Sequence, residues 1–200
     1  MPHPTAPATP TAATAGASEA ARPRYWVPTG TDARTDGAYL VDSDTAWGRL
    51  ANDHLAQLEA LADAPCLVLL GAPGAGKSTE LQRAAVAAAE DGEALLVDLG
   101  DIGSEAALDR LLFEHPAVQS WRGGTHRLTL FLDSLDEGLL AVETLARRVA
   151  AELRGLDHAR LALRVACRPG EWPASLGRVP CGAAVIRAPR RRGERRASGG

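Results

Sequence analysis

The segment Gly71-Ala72-Pro73-Gly74-Ala75-Gly76-Lys77-Ser78 constrains this chain more than any other. It fits G-x-x-x-x-G-K-[ST] in full, and its flanks have the right character. The continuously apolar run Cys66-Leu67-Val68-Leu69-Leu70 before it reads as a strand buried on both faces. The Ala-rich stretch from Lys77 to about Glu90 after it reads as a helix stopped by Gly92. Glycines at this spacing let the backbone wrap closely around an anion, with consecutive N–H groups and a helix N-terminus aimed at the negative charge. The expected ligand is therefore ATP or GTP with Mg²⁺. Gly71, Ala72, Pro73, Gly74, Ala75 and Gly76 form the cradle. Lys77 is expected at the β- and γ-phosphates, the Ser78 hydroxyl on magnesium, and Thr79 at the α-phosphate. Lys77 is also the only lysine in a chain that uses arginine everywhere else, which suggests that an ammonium is needed there. With no second lysine there is no Asn-Lys-x-Asp guanine-recognition motif, so the odds favour ATP over GTP.

Two further segments extend the candidate site. Leu128-Thr129-Leu130-Phe131-Leu132 reads as a strand ending on Asp133, whose carboxylate is expected to hold Mg²⁺ opposite Ser78. Asp136 and Glu137 follow within four residues. Three carboxylates so close repel one another unless a cation is near, and one of them is a candidate for polarising an attacking water. Leu161-Ala162-Leu163-Arg164-Val165-Ala166 reads as another strand, with Arg168 just beyond it in Cys167-Arg168-Pro169. If that strand lies between the strands of the first two segments, Arg168 stands near the γ-phosphate and distinguishes ATP from ADP.

Around these segments, strand and helix alternate. Ala94 to Asp98 reads as a strand, and Ser104 caps a helix through Leu108, Leu111 and Leu112 that His115-Pro116 ends or kinks. Leu139, Leu140, Val142, Leu145, Val149 and Leu153 predict one long amphipathic helix closed by Gly155. Ala183 to Ile186 is a candidate fifth strand. The alternation predicts an α/β fold, a parallel sheet with helices on both faces and ligands at the carboxyl ends of the strands. Residues 1–22 carry almost no large apolar side chains and read as a disordered tail. Residues 23–63 read as a lead-in that packs on the core through Tyr25 and Trp26, with a helix from about Thr45 to Ala62 capped by Asp44. Residues 64–188 form the nucleotide-binding domain, and 189–200 an Arg-rich tail.

The net charge of −3 is unevenly spread, because residues 181–200 hold six Arg and one Glu and the rest is acidic. An acidic body argues against a nucleic-acid-binding domain. Cys66, Cys167 and Cys181 show no metal-ligand spacing and fit a reducing compartment. No apolar run is long enough for a membrane span and the N-terminus has no basic region followed by an apolar stretch, so no signal peptide is expected and the expected location is the cytoplasm.

Together the three segments resemble the NACHT branch of the STAND nucleotide-switch ATPases. Gly71–Thr79 reads like that family's Walker A. Leu130 to Glu137 is similar to its extended Walker B, an Asp followed by small-apolar-Asp-Glu. Val165-Ala166-Cys167-Arg168-Pro169 resembles its sensor segment, with Cys167 where the family more often has a hydroxyl. Over residues 25–180 the resemblance implies a three-layer α/β/α P-loop NTPase with strand order 5-1-4-3-2. It also implies ATP as nucleotide, slow hydrolysis that resets a switch, signalling or defence roles, and self-assembly. Such switches carry further helical and sensor arms, so the expectation is a truncated or frame-shifted member, or a split gene whose separately encoded partner supplies them. Two alternatives use the same scaffold. One is a non-catalytic nucleotide-binding fragment that acts through protein contacts. The other is a small-molecule kinase, with Arg147, Arg148 and Arg154 as its lid candidates and no marked acceptor site.

Overall fold

The computed structural model describes residues 24–29, 55–142, 144–173, 176 and 184–187. The expected N-terminal tail, the lead-in at Tyr39 to Val41, the helix between Thr45 and His54, Cys181 and the Arg-rich end lie outside the described residues.

The strands are β1 (Val27–Pro28), β2 (Cys66–Leu70), β3 (Glu93–Asp98), β4 (Leu128–Asp133), β5 (Leu161–Cys167) and β6 (Ala184–Arg187). They form one sheet in the order β1-β6-β2-β5-β4-β3. β6, β2, β5, β4 and β3 run parallel, in the order expected for the five core strands. The difference is β1, which joins from the lead-in and pairs antiparallel with β6 through Val27↔Arg187 and Pro28↔Ile186. Two residues are too few to show any periodicity, which is why the sequence gives no sign of this strand.

The alternation of side chains along β2 divides the core in two. Cys66, Val68 and Leu70 face one side with Leu130, Leu132, Leu163 and Val165. Leu67 and Leu69 face the other with Phe131, Ala166 and Ile186. The helices are α1 (Lys77–Asp91), α2 (Glu105–Leu108), α3 (Pro116–Gly123), α4 (Leu135–Ala141) and α5 (Leu145–Arg154). Leu81 and the alanines of α1, together with Trp26 and Leu58, cover the second face. Leu108, Trp121, Leu135, Leu145, Val149 and Leu153 of the other helices cover the first. The result is the three-layer α/β/α arrangement.

The caps follow the sequence. The Ser104 hydroxyl accepts the Ala107 N–H, and His115 Nδ1 accepts the Ala117 N–H with Pro116 at the first helical position. A π-helical turn, Asp109–Phe113, continues α2. Two expectations are corrected. The long helix through Leu139 and Leu153 is broken after Ala141, and Val142 is extended (φ −131°, ψ 99°). Before the break, at Gly138, α4 runs so close to the 3₁₀ turn Leu99–Asp101 that a Cβ would sit 2.7 Å from the Leu99 carbonyl oxygen. A second helix starts at Leu145 and packs Leu145, Val149 and Leu153 into the larger apolar cluster. Likewise, residues 55–62 are not α-helical: Ala56 exchanges backbone hydrogen bonds with Trp26, and Glu59–Leu61 is a 3₁₀ turn. The pairing with Trp26, which is 1% exposed, takes the place of the helical ladder.

No described helix is long and apolar enough to cross a membrane.

Candidate functional site

The site is assembled at the carboxyl ends of three adjacent strands, β2, β5 and β4. Because β5 lies between the other two, the loop after it falls between the Gly-rich loop and Asp133. The Gly71 N–H donates to the Cys167 carbonyl at 3.2 Å and ties the loop's first residue to the end of β5.

The Gly-rich loop turns back on itself before α1. The Ala75 N–H donates to the Ala72 carbonyl at 3.1 Å. Gly74 (φ +74°) and Gly76 (φ +86°) occupy the left-handed region that side chains rarely adopt. A Cβ at Gly74 would meet nothing within 4 Å, so that position is glycine for its backbone and not for lack of space. Lys77 folds back over the loop, its Nζ donating to the Gly71 carbonyl at 2.7 Å and the Ala72 carbonyl at 3.3 Å. Ala72, Pro73, Ser78 and Thr79 are exposed, and Gly71 is buried. The loop is thus an open cradle of the kind a polyphosphate fits, and α1, 15 residues long, adds the positive end of its dipole.

Asp133 ends β4, its side chain buried, and its Oδ1 accepts the Ser134 N–H at 2.8 Å. Among the described residues it forms no ion pair, so this buried carboxylate is suited to a divalent ion brought in with phosphates. No group of three or more His, Cys, Asp or Glu among the described residues is arranged to hold a metal by itself. Ser134 is the one non-glycine residue with positive φ among those described (φ 53°, ψ 37°). A strained residue directly after Asp133 re-aims the chain so that α4 starts at Leu135 and returns Asp136 and Glu137 to the same strand ends.

There the structure joins three of the expected residues. Arg168 Nε lies 2.8 Å from Asp136 Oδ2, its backbone N–H donates to Asp136 Oδ1 at 3.1 Å, and its Nη2 lies 3.2 Å from Glu137 Oε1. Asp136 is buried, whereas the Glu137 side chain is 56% exposed. Of the three arginines named as lid candidates for a kinase, Arg147 and Arg154 are exposed on α5 and Arg148 is engaged within the fold. Arg148 pairs with Asp109 at 2.7 Å and stacks on Phe113, holding helices together.

Sequence reasoning missed Arg24 and Glu80. The Arg24 guanidinium lies against Gly76 so closely that a Cβ there would be 2.3 Å from its Nε. It is held by Glu80, in the first turn of α1 and 2% exposed, whose Oε1 lies 3.2 Å from both Arg24 Nη1 and Arg83 Nη1. The lead-in therefore places a cation beside the phosphate loop. No motif signals this, since 56 residues separate the two partners.

Cys167, at the last position of β5, is a free and buried thiol. Burial pushes its pKa from an ordinary 9.0 up to about 12, and the negative charge of Asp136 adds to the effect. The raised value favours the folded state while the thiol stays protonated. That contribution is complete below pH 9.0 and is lost as pH rises through about 12. In native protein at pH 8, Cys167 should therefore resist alkylation and react only on unfolding, as peptide mass mapping after a timed iodoacetamide pulse would show. Labelling at the rate of a free thiol would contradict the burial.

The parallel sheet, its strand order and the Gly-rich loop between β2 and α1 define a P-loop α/β fold. No protein-family model matches the chain, and no curated protein matches it. Among solved structures it is similar to a P216G mutant of RuvB from Thermotoga maritima, at 19% identity and a TM-score of 0.44, covering 66% of this chain and 42% of that one. It is likewise similar to T. maritima RuvB described as a Holliday junction branch migration motor, at 17% identity and a TM-score of 0.41, covering 65% and 41%. The chain spans about two fifths of the length of these RuvB chains.

Proposed function

We propose that this chain is the ATP-binding, slowly hydrolysing domain of a NACHT/STAND-like switch. The observation that carries the reading is the meeting of the Gly71–Thr79 loop, Asp133 and the Arg168–Asp136–Glu137 cluster at three neighbouring strand ends. In this reading the loop amides and Lys77 bind the phosphates. Ser78 and Asp133 hold Mg²⁺, which when bound neutralises phosphate charge and orients the terminal phosphoryl group. Glu137 accepts the proton of the attacking water. Arg168, already turned toward this cluster, meets the terminal phosphate and reports whether it is there. A cation that reads a single phosphate group is what separates a two-state switch from a simple nucleotide store. The partners in this reading are the nucleotide and further protein, either copies of this chain or separately encoded arms. The compartment is the cytoplasm.

Calorimetric titration of the chain with Mg-ATP and, separately, Mg-GTP tests the reading. Saturable ATP binding that exceeds GTP binding is expected. An absence of heat with either nucleotide, from protein shown to be folded by circular dichroism, would overturn it.

A further inference from the structure

Asp136 and Glu137 are adjacent acids in one segment, and the sequence gives them the same candidacy for acting on water. Their surroundings differ. The Asp136 side chain is 6% exposed, and both its oxygens are taken by one residue. Oδ1 accepts the Arg168 backbone N–H, fixing the point where the chain leaves β5, and Oδ2 meets Nε of the same arginine. Glu137 offers Arg168 a single oxygen from a half-exposed position. Arginine is a long side chain with five N–H donors and many rotamers. Held at its backbone and at Nε by one buried carboxylate, it has one direction left to point. The Arg168 side chain is 41% exposed, so the guanidinium held in this way keeps an open side on which to meet an anion.

We propose that Asp136 is a positioning residue: it fixes the Arg168 guanidinium at the end of β5 and so sets the discrimination between ATP and ADP, while the water is left to Glu137. The proposal rests on the nucleotide-switch reading above and on Arg168 as the group that meets the terminal phosphate. Pre-organisation is the physical basis. An arginine already held in place loses less conformational freedom when it binds, and that gain falls only on the nucleotide long enough to reach it.

The test is a cycle of four proteins, the unsubstituted chain, Asp136→Asn, Arg168→Ala and the double variant, each titrated with Mg-ATP and with Mg-ADP. The readout is the ratio of the two affinities, which general loosening of the fold would not change. The unsubstituted chain should prefer ATP, and Arg168→Ala should remove the preference. Asp136→Asn should lower the ratio by about tenfold, the loss expected for one charge-assisted contact. The double variant should fall no further than Arg168→Ala alone. Should Asp136→Asn fail to fold, Arg168→Lys carries the same expectation, because it keeps the charge and loses the Nε contact. The proposal is overturned if Asp136→Asn or Arg168→Lys keeps the full ratio, if the two losses add, or if Arg168→Ala leaves the ratio intact. A chain that binds neither nucleotide fails at an earlier point and brings down the nucleotide reading itself.

Discussion

Lys77→Ala should weaken Mg-ATP binding by about 2–5 kcal/mol, roughly 30-fold at the least, and leave the fold standing. The ammonium sits over the loop on two carbonyl oxygens, those of Gly71 and Ala72. A phosphate is a far stronger partner for it than a carbonyl, because both groups then carry charge. Alanine removes this ammonium from the cradle while keeping the loop glycines and the α1 amides. The core is untouched, since Lys77 is only partly buried and packs in neither apolar cluster. Titration of both proteins, beside a thermal melt of each, checks this. Equal affinities would place the phosphates somewhere other than the Gly71–Thr79 loop.

Turnover, in contrast, is what Glu137→Gln should remove, by about 10²–10⁴-fold, with ATP affinity kept. Glutamine preserves the shape of the side chain and an oxygen for Arg168 Nη2, so the contact at 3.2 Å has a replacement. What it lacks is the ability to take up a proton at neutral pH. Phosphate release under saturating Mg-ATP, measured with the titration, separates the two quantities. Unchanged release would mean that another group activates the water. A fall in affinity alone would make Glu137 a binding residue.

Much of this site could be read from the residues because buried parallel strands are short, continuous apolar runs. β2 to β5 lie within about a residue of the runs read in the sequence, and the loops that follow three of them are the site. The order of those strands came from a family resemblance and not from periodicity, which says nothing about neighbours. What stayed hidden depends on pairs distant in the chain. Ala56 pairs with Trp26 where a helix was expected, and α4 lies against the Leu99 carbonyl and ends at Ala141. Arg24 reaches the phosphate loop only through the buried carboxylate of Glu80. The unequal lots of Asp136 and Glu137 were equally invisible, because a single residue step along the helix buries one acid under Arg168 and leaves its neighbour half-exposed at the guanidinium's edge.

The two-residue strand β1 has a consequence for how this molecule can meet copies of itself. Among the described strands it lies at one end of the sheet, and the second of its two residues, Pro28, has no N–H to donate. Proline at that position is unsuited to donate to a further strand. The opposite rim, β3, is six residues long and carries Leu96, 37% exposed. Of the two described rims, β3 is the longer and carries no proline, so it is the one with backbone donors suited to a second copy. Two such rims placed together make a closed pair and not a fibre.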